Sequence, residues 1–140
     1  QFETSAANFS QFPTVDLPEI VIVGRSNAGK SSVLNCIFNR KKLAFTAKEP
    51  GKTRLLNFFS VRCNGKATAR MVDLPGYGYA KVDKSLKKNW ELTLLNFILR
   101  RKTLVASLMI TDCRRPLTDT DGIMLDILLE KKNPISCTSK

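Results

Sequence analysis

The chain of 140 residues carries 23 Lys and Arg against 12 Asp and Glu, a net charge of +11, and its 43% apolar content suits one packed domain. No stretch approaches the roughly 18 to 20 apolar residues of a membrane-spanning helix, and residues 1–5 lack the features of a signal peptide. The sequence has no His and no C-x-x-C pair, which excludes a His-based triad and argues against structural zinc. Its four distant cysteines are expected to be buried or half-buried free thiols in a reducing compartment.

The first 16 residues are polar and include Phe9 and Phe12, a pattern that predicts a loosely structured N-terminal arm. We expect the main domain to cover residues 17–140. Its first strand is predicted over residues 19–24, where four apolar residues run directly into Gly24.

Residues 24–31 read Gly-Arg-Ser-Asn-Ala-Gly-Lys-Ser and match G-x-x-x-x-G-K-[ST], a loop that holds nucleotide phosphates. Gly24 permits a tight turn after the strand, and Gly29 lets the backbone come close to a phosphate. Lys30 is the expected ligand of the β- and γ-phosphates, and the Ser31 hydroxyl is the expected ligand of Mg²⁺. The motif also requires a following helix, which an apolar stripe predicts: Val33, Leu34, Ile37 and Phe38.

Residues 41–54 have no clear period and predict a long basic loop, a type of segment that is usually functional or mobile. Thr53 is a candidate second hydroxyl ligand of Mg²⁺, and Thr46 competes with it on position alone. Two strands joined by the turn signal Asn64-Gly65 follow and predict an antiparallel hairpin.

The hairpin should bring Asp73 to the carboxyl end of its strand, next to the phosphate loop. Residues 73–76, Asp-Leu-Pro-Gly, form the D-x-x-G pattern of a γ-phosphate sensor. Asp73 can hold Mg²⁺ through water, and the Gly76 amide can reach the γ-phosphate. The loop can then change shape when that phosphate leaves.

The remaining pattern alternates helices and strands. A helix is predicted from about residue 84 to 101, a buried strand over 104–112, and a last strand from residue 135. Residues 118–121 resemble a capping box that opens another helix, whose inward residues should be Ile123, Met124, Ile127 and Leu128. The expected fold is α/β, a mostly parallel sheet with one antiparallel edge hairpin and helices on both faces.

Three segments together closely resemble the EngB (YihA/YsxC) family of GTP-binding proteins: residues 24–31, residues 50–53 (Pro-Gly-Lys-Thr) and residues 73–80 (Asp-Leu-Pro-Gly-Tyr-Gly-Tyr-Ala). The similarity covers nearly the whole chain. It implies a Ras-like P-loop fold, binding of GTP and Mg²⁺, and slow GTP hydrolysis. It also implies a switch role in assembly of the large ribosomal subunit and a need for the protein in cell division and septation.

The resemblance favours Thr53 over Thr46 as a metal ligand, beside Ser31 and the water-mediated Asp73. The residues expected to act on the transferred phosphate are Lys30, Thr53 and Gly76. The implied nucleotide-binding residues are Gly24, Arg25, Ser26, Asn27, Ala28, Gly29, Lys30, Ser31, Ser32, Gly51, Lys52, Thr53, Arg54, Leu55, Asp73, Leu74, Pro75 and Gly76.

Two positions bear on the rate of hydrolysis. Ras-type enzymes place a Gln after D-x-x-G to orient the attacking water, whereas Tyr77 stands there in this chain. Asn27 matches an Asn that helps related GTPases bind K⁺ near the phosphates. The chain is therefore expected to hydrolyse GTP slowly on its own and to need a partner or an ion to complete the site.

The basic excess fits ribosomal RNA, and the lysines around the two switch loops are the expected contacts. We expect a cytoplasmic monomer without a membrane segment, or an organellar protein if an N-terminal segment has been removed. The sequence ends at Lys140 without the Asp of the guanine-reading motif, so we expect a C-terminally incomplete domain. The alternatives are a P-loop ATPase or kinase, or a non-catalytic RNA-binding module that senses nucleotide.

Overall fold

The structure of the chain is a computed structural model that describes residues 1–39, 55–78, 84–115 and 117–139, the side chains of residues 84–90 and 139 excepted. Its strands are β1 (Phe2–Ala6), β2 (Glu19–Gly24), β3 (Leu56–Cys63), β4 (Lys66–Asp73), β5 (Leu104–Thr111) and β6 (Ile135–Ser139). Its helices are α1 (Lys30–Ile37), α2 (Lys84–Arg100) and α3 (Asp119–Glu130), with a short 3₁₀ turn at Phe9–Gln11. None of these helices is long and apolar enough to cross a membrane.

The six described strands form one sheet in the order β1-β3-β4-β2-β5-β6. β2 pairs in parallel with both β4 and β5, and β5 pairs in parallel with β6. The predicted hairpin of β3 and β4 is antiparallel, and its turn residues Asn64 and Gly65 both have positive φ, at 49° and 80°. The predicted α/β class is therefore confirmed.

Successive residues of β2 pack on opposite faces of the sheet, as the period of a strand requires. Val21 and Val23 belong to one core, which α2 and α3 cover through residues such as Phe97 and Leu128. Ile22 belongs to the other core, where Leu34 of α1 packs against the sheet. Helices thus cover both faces, and β2, buried between them, delivers Gly24 to the carboxyl edge of the sheet.

The prediction of a loosely structured arm is wrong for residues 2–6. They form β1, which pairs antiparallel with β3 and places Ala6 opposite Leu56, so the hairpin is not the outermost part of the sheet. The Phe12 ring anchors the following segment, because its centroid lies 5.6 Å from that of Phe58 and 5.3 Å from that of Phe97. A short edge strand needs few apolar residues, which is why the polar composition of this segment was misleading.

A cluster of buried charges fastens the amino end of β2 to the rest of the molecule. Glu19 is fully buried and accepts hydrogen bonds from Arg101 Nε (2.8 Å) and Arg101 Nη2 (2.7 Å). The Thr103 hydroxyl donates to the same carboxylate at 2.8 Å, and Arg101 Nη2 also donates to the carbonyl of Pro13 at 2.7 Å. Because each of these donors is satisfied, the ion pair can stay buried without an orphaned charge.

The cysteine prediction is half wrong. All four thiols are free, as expected, but Cys36, Cys63, Cys113 and Cys137 are all exposed. Their places in the fold explain the difference, since they lie on the outer face of α1, at the end of β3, in the loop after β5 and on edge strand β6.

Two of the residues predicted to face inward are also exposed. Ile123 is 61% exposed, whereas Met124 and Leu128 of the same helix are buried. The helical period explains this, because residues 121, 124 and 128 share the inward face of α3 and residue 123 does not. Ile37 is 50% exposed because α1 ends at that residue.

Candidate functional site

The phosphate loop occupies the turn between β2 and α1, at the carboxyl edge of the sheet. Two of its residues have left-handed backbone conformations, Asn27 with φ 65° and Gly29 with φ 94°. A Cβ on Gly24 would lie 2.5 Å from the carbonyl oxygen of Ile110, so this position admits only glycine without displacement of β5. Lys30 is 7% exposed, and its Nζ donates to the Gly24 carbonyl at 3.3 Å.

Two amides of the loop already donate to protein carbonyls. The Ser26 amide donates to the Tyr77 carbonyl at 2.9 Å, and the Ala28 amide donates to the Arg25 carbonyl at 3.1 Å. An anion at this loop would therefore meet the amides further along the chain, in the first turn of α1, where the helix dipole also favours negative charge.

Ser31 and Asp73 both lie at the carboxyl edge of the sheet, Ser31 at the start of α1 and Asp73 at the end of β4. The Ser31 hydroxyl oxygen is buried and has no hydrogen-bond partner among the described residues. Asp73 is 7% exposed and ends β4, paired with Ile22 of the neighbouring β2. A buried hydroxyl without a partner among the described residues and a strand-end carboxylate at the same edge of the sheet fit a Mg²⁺ that also takes phosphate and water ligands.

The D-x-x-G segment lies directly against the phosphate loop. A Cβ on Gly76 would stand 2.7 Å from Ser26 Cα, 2.8 Å from the Ser26 nitrogen and 3.1 Å from Lys30 Nζ. The next residue, Tyr77, forms a parallel bridge with Arg25. The two motifs that the sequence predicts to meet at a γ-phosphate are therefore in contact.

A buried carboxylate from α3 joins these two motifs, and sequence reasoning missed this role. Asp121 is fully buried and accepts a hydrogen bond from the Tyr77 hydroxyl at 2.6 Å. Its other oxygen lies 3.2 Å from Arg25 Nε and accepts the Thr118 amide at 3.0 Å and the Thr118 hydroxyl at 2.8 Å. The predicted capping box is present, but the sequence pattern predicts from it only the start of a helix.

Burial and nearby charge set the protonation states of Tyr77 and Asp121. Burial, together with the bond to Asp121, raises the pKa of Tyr77 above its usual range. Burial works against ionisation of Asp121, but hydrogen bonds from Tyr77 and Thr118 outweigh it, so the pKa of Asp121 is lowered. Tyr77 is thus a neutral donor to a charged Asp121.

An open cavity of about 400 Å³ lies on the outer side of the phosphate loop, between it and the loop after β5. Arg114 donates to Asp112 from Nε at 3.0 Å and from Nη2 at 2.8 Å, and these bonds hold the pKa of Asp112 well below its usual range. The lining residues are Arg25, Ser26, Asn27, Ala28, Asp112, Arg114 and Arg115.

The predicted site residues 24–32, Leu55 and 73–76 fall within the described residues, and the structure brings the phosphate loop and the Asp73–Gly76 segment together. The predicted residues Gly51, Lys52, Thr53 and Arg54, the competing Thr46, and the lysines around the first switch loop lie outside the described residues. In the described part, no cluster of three or more His, Cys, Asp or Glu could hold a metal ion by itself.

The family model described as "50S ribosome-binding GTPase" matches residues 19–140. The chain belongs to this GTPase family. Among curated relatives, it is 46% identical to the "Probable GTP-binding protein EngB" of Methylobacillus flagellatus over 96% of its own length, and 42% identical to the protein of the same name from Burkholderia ambifaria over 96%. The chain spans 63% and 62% of these relatives. The resemblance to EngB is confirmed.

Solved structures of GTPases share the fold. A crystal structure of a probable GTP-binding protein EngB superimposes with a TM-score of 0.58 at 20% identity, over 85% of this chain and 67% of the other. Era, in complex with MgGDPNP and nucleotides 1506–1542 of 16S ribosomal RNA, gives a TM-score of 0.57 at 20% identity, over 86% and 39% of the two chains. At these identities the likeness supports the GTPase fold and nothing finer.

The closeness of Gly76 to Ser26 leads to a prediction. Gly76→Ala should weaken Mg²⁺-dependent nucleotide binding by about 10-fold or more, because the new methyl group meets backbone atoms and must push the two motifs apart. Gly122→Ala is the matched control. A Cβ there meets nothing within 4 Å, so the variant should bind normally and be stabilised by up to about 1 kcal/mol in its helix. Equal binding by both variants would show that the contact has no role.

Proposed function

We propose that this GTPase-family chain binds GTP and Mg²⁺ and hydrolyses GTP slowly, acting as a switch in large ribosomal subunit assembly. The observation that carries the proposal is the contact between the two phosphate-site motifs, with Gly76 against Ser26 and Lys30. In a switch GTPase these motifs hold the β- and γ-phosphates from two sides, and loss of the γ-phosphate releases the second of them.

In the proposed reaction, water attacks the γ-phosphorus and the bond to the β-phosphate oxygen breaks. The Lys30 ammonium and the Gly76 amide stabilise the negative charge on the transferred group. Tyr77, at the position of the water-orienting Gln of Ras-type enzymes, cannot replace it. Its hydroxyl already donates to Asp121, and its raised pKa keeps that hydroxyl protonated. Slow hydrolysis without a partner follows from this arrangement.

We assign Mg²⁺ to Ser31 and Thr53, with Asp73 acting through water. When bound, Mg²⁺ would neutralise charge on the β- and γ-phosphates. The orphaned Ser31 hydroxyl supports this assignment. We also propose that K⁺ binds near Asn27. The left-handed backbone of Asn27 makes a turn in the loop at that residue. Equal hydrolysis rates in K⁺ and Na⁺ buffers would remove K⁺ from the mechanism.

The proposed partner is the large ribosomal subunit, bound through RNA by a monomer in the cytoplasm. The family description supports the ribosome as the partner, and the net charge of +11 supports binding to RNA. Among the described residues, Arg114 and Arg115 line the cavity beside the phosphate loop, where Arg114 is paired with Asp112. If RNA phosphates meet this surface, affinity should fall steeply with salt. The link to cell division and septation rests on the EngB resemblance alone.

Binding of fluorescent GDP and ADP tests the nucleotide assignment. We expect Mg²⁺-dependent binding that prefers GDP, measured by anisotropy on this chain and on a form that continues past Lys140 with the matching segment of the Methylobacillus flagellatus relative. Equal affinity of both forms for ADP and GDP would replace the GTPase proposal with that of a P-loop ATPase or kinase. Phosphate release over many turnovers with ribosomal subunits would exclude the non-catalytic module.

A further inference from the structure

We propose that Asp121 is a positioning residue that holds the D-x-x-G segment on the phosphate loop and thereby favours the triphosphate over the diphosphate. The inference rests on the proposed function for its nucleotide readout. Asp121 lies on α3 and contacts one residue beside each motif glycine: it accepts a hydrogen bond from Tyr77, after Gly76, and forms an ion pair with Arg25, after Gly24.

The geometry makes one carboxylate the shared partner of two loops, as the hydrogen-bond acceptor of Tyr77 and the ion-pair partner of Arg25. One oxygen takes the Tyr77 hydroxyl at 2.6 Å, and the other lies 3.2 Å from Arg25 Nε. Asp121 is fully buried, Tyr77 is 8% exposed, and the Arg25 side chain is 22% exposed, so water competes weakly for these bonds. Bonds of this kind to a charged group are roughly twice as strong as neutral ones.

The backbone reinforces this connection. Tyr77 bridges Arg25 in parallel, and its carbonyl accepts the Ser26 amide at 2.9 Å. Arg25 Nη2 also donates to the carbonyl of Arg115 at 3.2 Å, which ties the same cluster to the loop after β5. The side-chain and backbone bonds therefore hold Gly76 in one place, beside Lys30 Nζ.

The position of Gly76 beside Lys30 Nζ determines which nucleotide the segment favours. Lys30 is the expected ligand of the β- and γ-phosphates, so a Gly76 held beside its ammonium is already close to the position of a γ-phosphate. A triphosphate then binds without the cost of ordering the segment, whereas a diphosphate gains nothing from it. Freeing the segment should therefore weaken triphosphate binding and leave diphosphate binding nearly unchanged.

Asp121→Asn and Tyr77→Phe test the inference. Each should lower the ratio of affinities for a non-hydrolysable GTP analogue and GDP by about 10-fold, since a hydrogen bond to a charged group is lost. The double variant should be no worse than Asp121→Asn alone, because that substitution already acts on the Tyr77 hydrogen bond and also affects the Arg25 ion pair. Asp119→Asn is the matched control: Asp119 is exposed in the first turn of the same helix, and its loss should leave the ratio unchanged.

Amide hydrogen exchange of the nucleotide-free chain provides a second readout that does not depend on nucleotide binding. In Asp121→Asn the Ser26 amide should exchange about 10-fold faster, while the Leu74 amide, which donates to Ile22 at 3.1 Å, should keep its rate. An unchanged Ser26 rate, or an unchanged or increased nucleotide ratio, would overturn the inference. If wild type binds no nucleotide, the proposed function fails, and the exchange rates alone decide whether Asp121 holds the segment.

Discussion

Lys30→Met is expected to reduce the affinity for GDP and for GTP analogues by at least about 100-fold. The substitution keeps an unbranched side chain of similar length in a site that is 7% exposed, but removes the ammonium that donates to Gly24 at 3.3 Å and would bind the β- and γ-phosphates. Hydrogen bonds to charged groups contribute roughly 1.5–3 kcal/mol each, and the β- and γ-phosphates would each lose one such bond. Titration of fluorescent nucleotide with Mg²⁺ present measures the change.

Lys66→Met is the matched control, because Lys66 is an exposed lysine at the start of β4, away from the phosphate loop. It changes the net charge by the same amount as Lys30→Met. The nucleotide affinity should stay within about 2-fold of wild type, as expected for a surface substitution that changes stability by up to about 0.5 kcal/mol. Similar losses in the two variants would mean that the overall charge, not the phosphate loop, attracts the nucleotide. Thermal unfolding should show both variants folded.

Glu19→Ala is expected to lower the free energy of unfolding by roughly 3–5 kcal/mol, the usual cost of removing one partner from a buried ion pair. Arg101, itself 7% exposed, would lose both of its hydrogen bonds to the carboxylate and keep the bond to the Pro13 carbonyl at 2.7 Å, and Thr103 would lose its acceptor. This is a large share of the roughly 5–15 kcal/mol that a folded domain has. With an m-value of about 1–3 kcal/mol/M, the urea midpoint should fall by at least about 1 M.

Glu130→Ala provides the comparison for this experiment. Glu130 is an exposed residue at the end of α3, so its removal should change the free energy of unfolding by no more than about 0.5 kcal/mol. If the two variants unfold at the same urea concentration, the Glu19 pair is not what secures the amino end of β2.

The parts of the molecule that sequence predicts well are those in which local chemistry has one structural solution. The G-x-x-x-x-G-K-[ST] pattern between an apolar run and a helical stripe predicts the phosphate loop, and Asn64-Gly65 predicts the hairpin, because few other turns suit these residues. Asp73 then follows at the strand end. Each of these inferences needs only neighbours along the chain.

The missed features depend on partners that are distant in sequence. β1 forms because it can pair with the free edge of β3, and the sequence of Phe2–Ala6 alone does not predict that pairing. Asp121 completes a capping box, which sequence reveals, but its bond to Tyr77 depends on how α3 packs against the D-x-x-G segment. The sequence offers one signal for it: an acid at the last position of a capping box, together with a Tyr in the position of a catalytic Gln.

The position of β2 in the sheet has a consequence for how the protein is made. Both neighbours of β2 come from later in the chain, since Ile20 pairs with Met71 of β4 and with Ala106 of β5. During synthesis, the strand that carries the phosphate loop has no partner until β4 has left the ribosome, and its second partner follows only with β5. Contacts so distant in sequence form slowly. Until then the apolar segment Ile20–Val23, most of which the folded domain buries, is exposed on the nascent chain and can bind a chaperone.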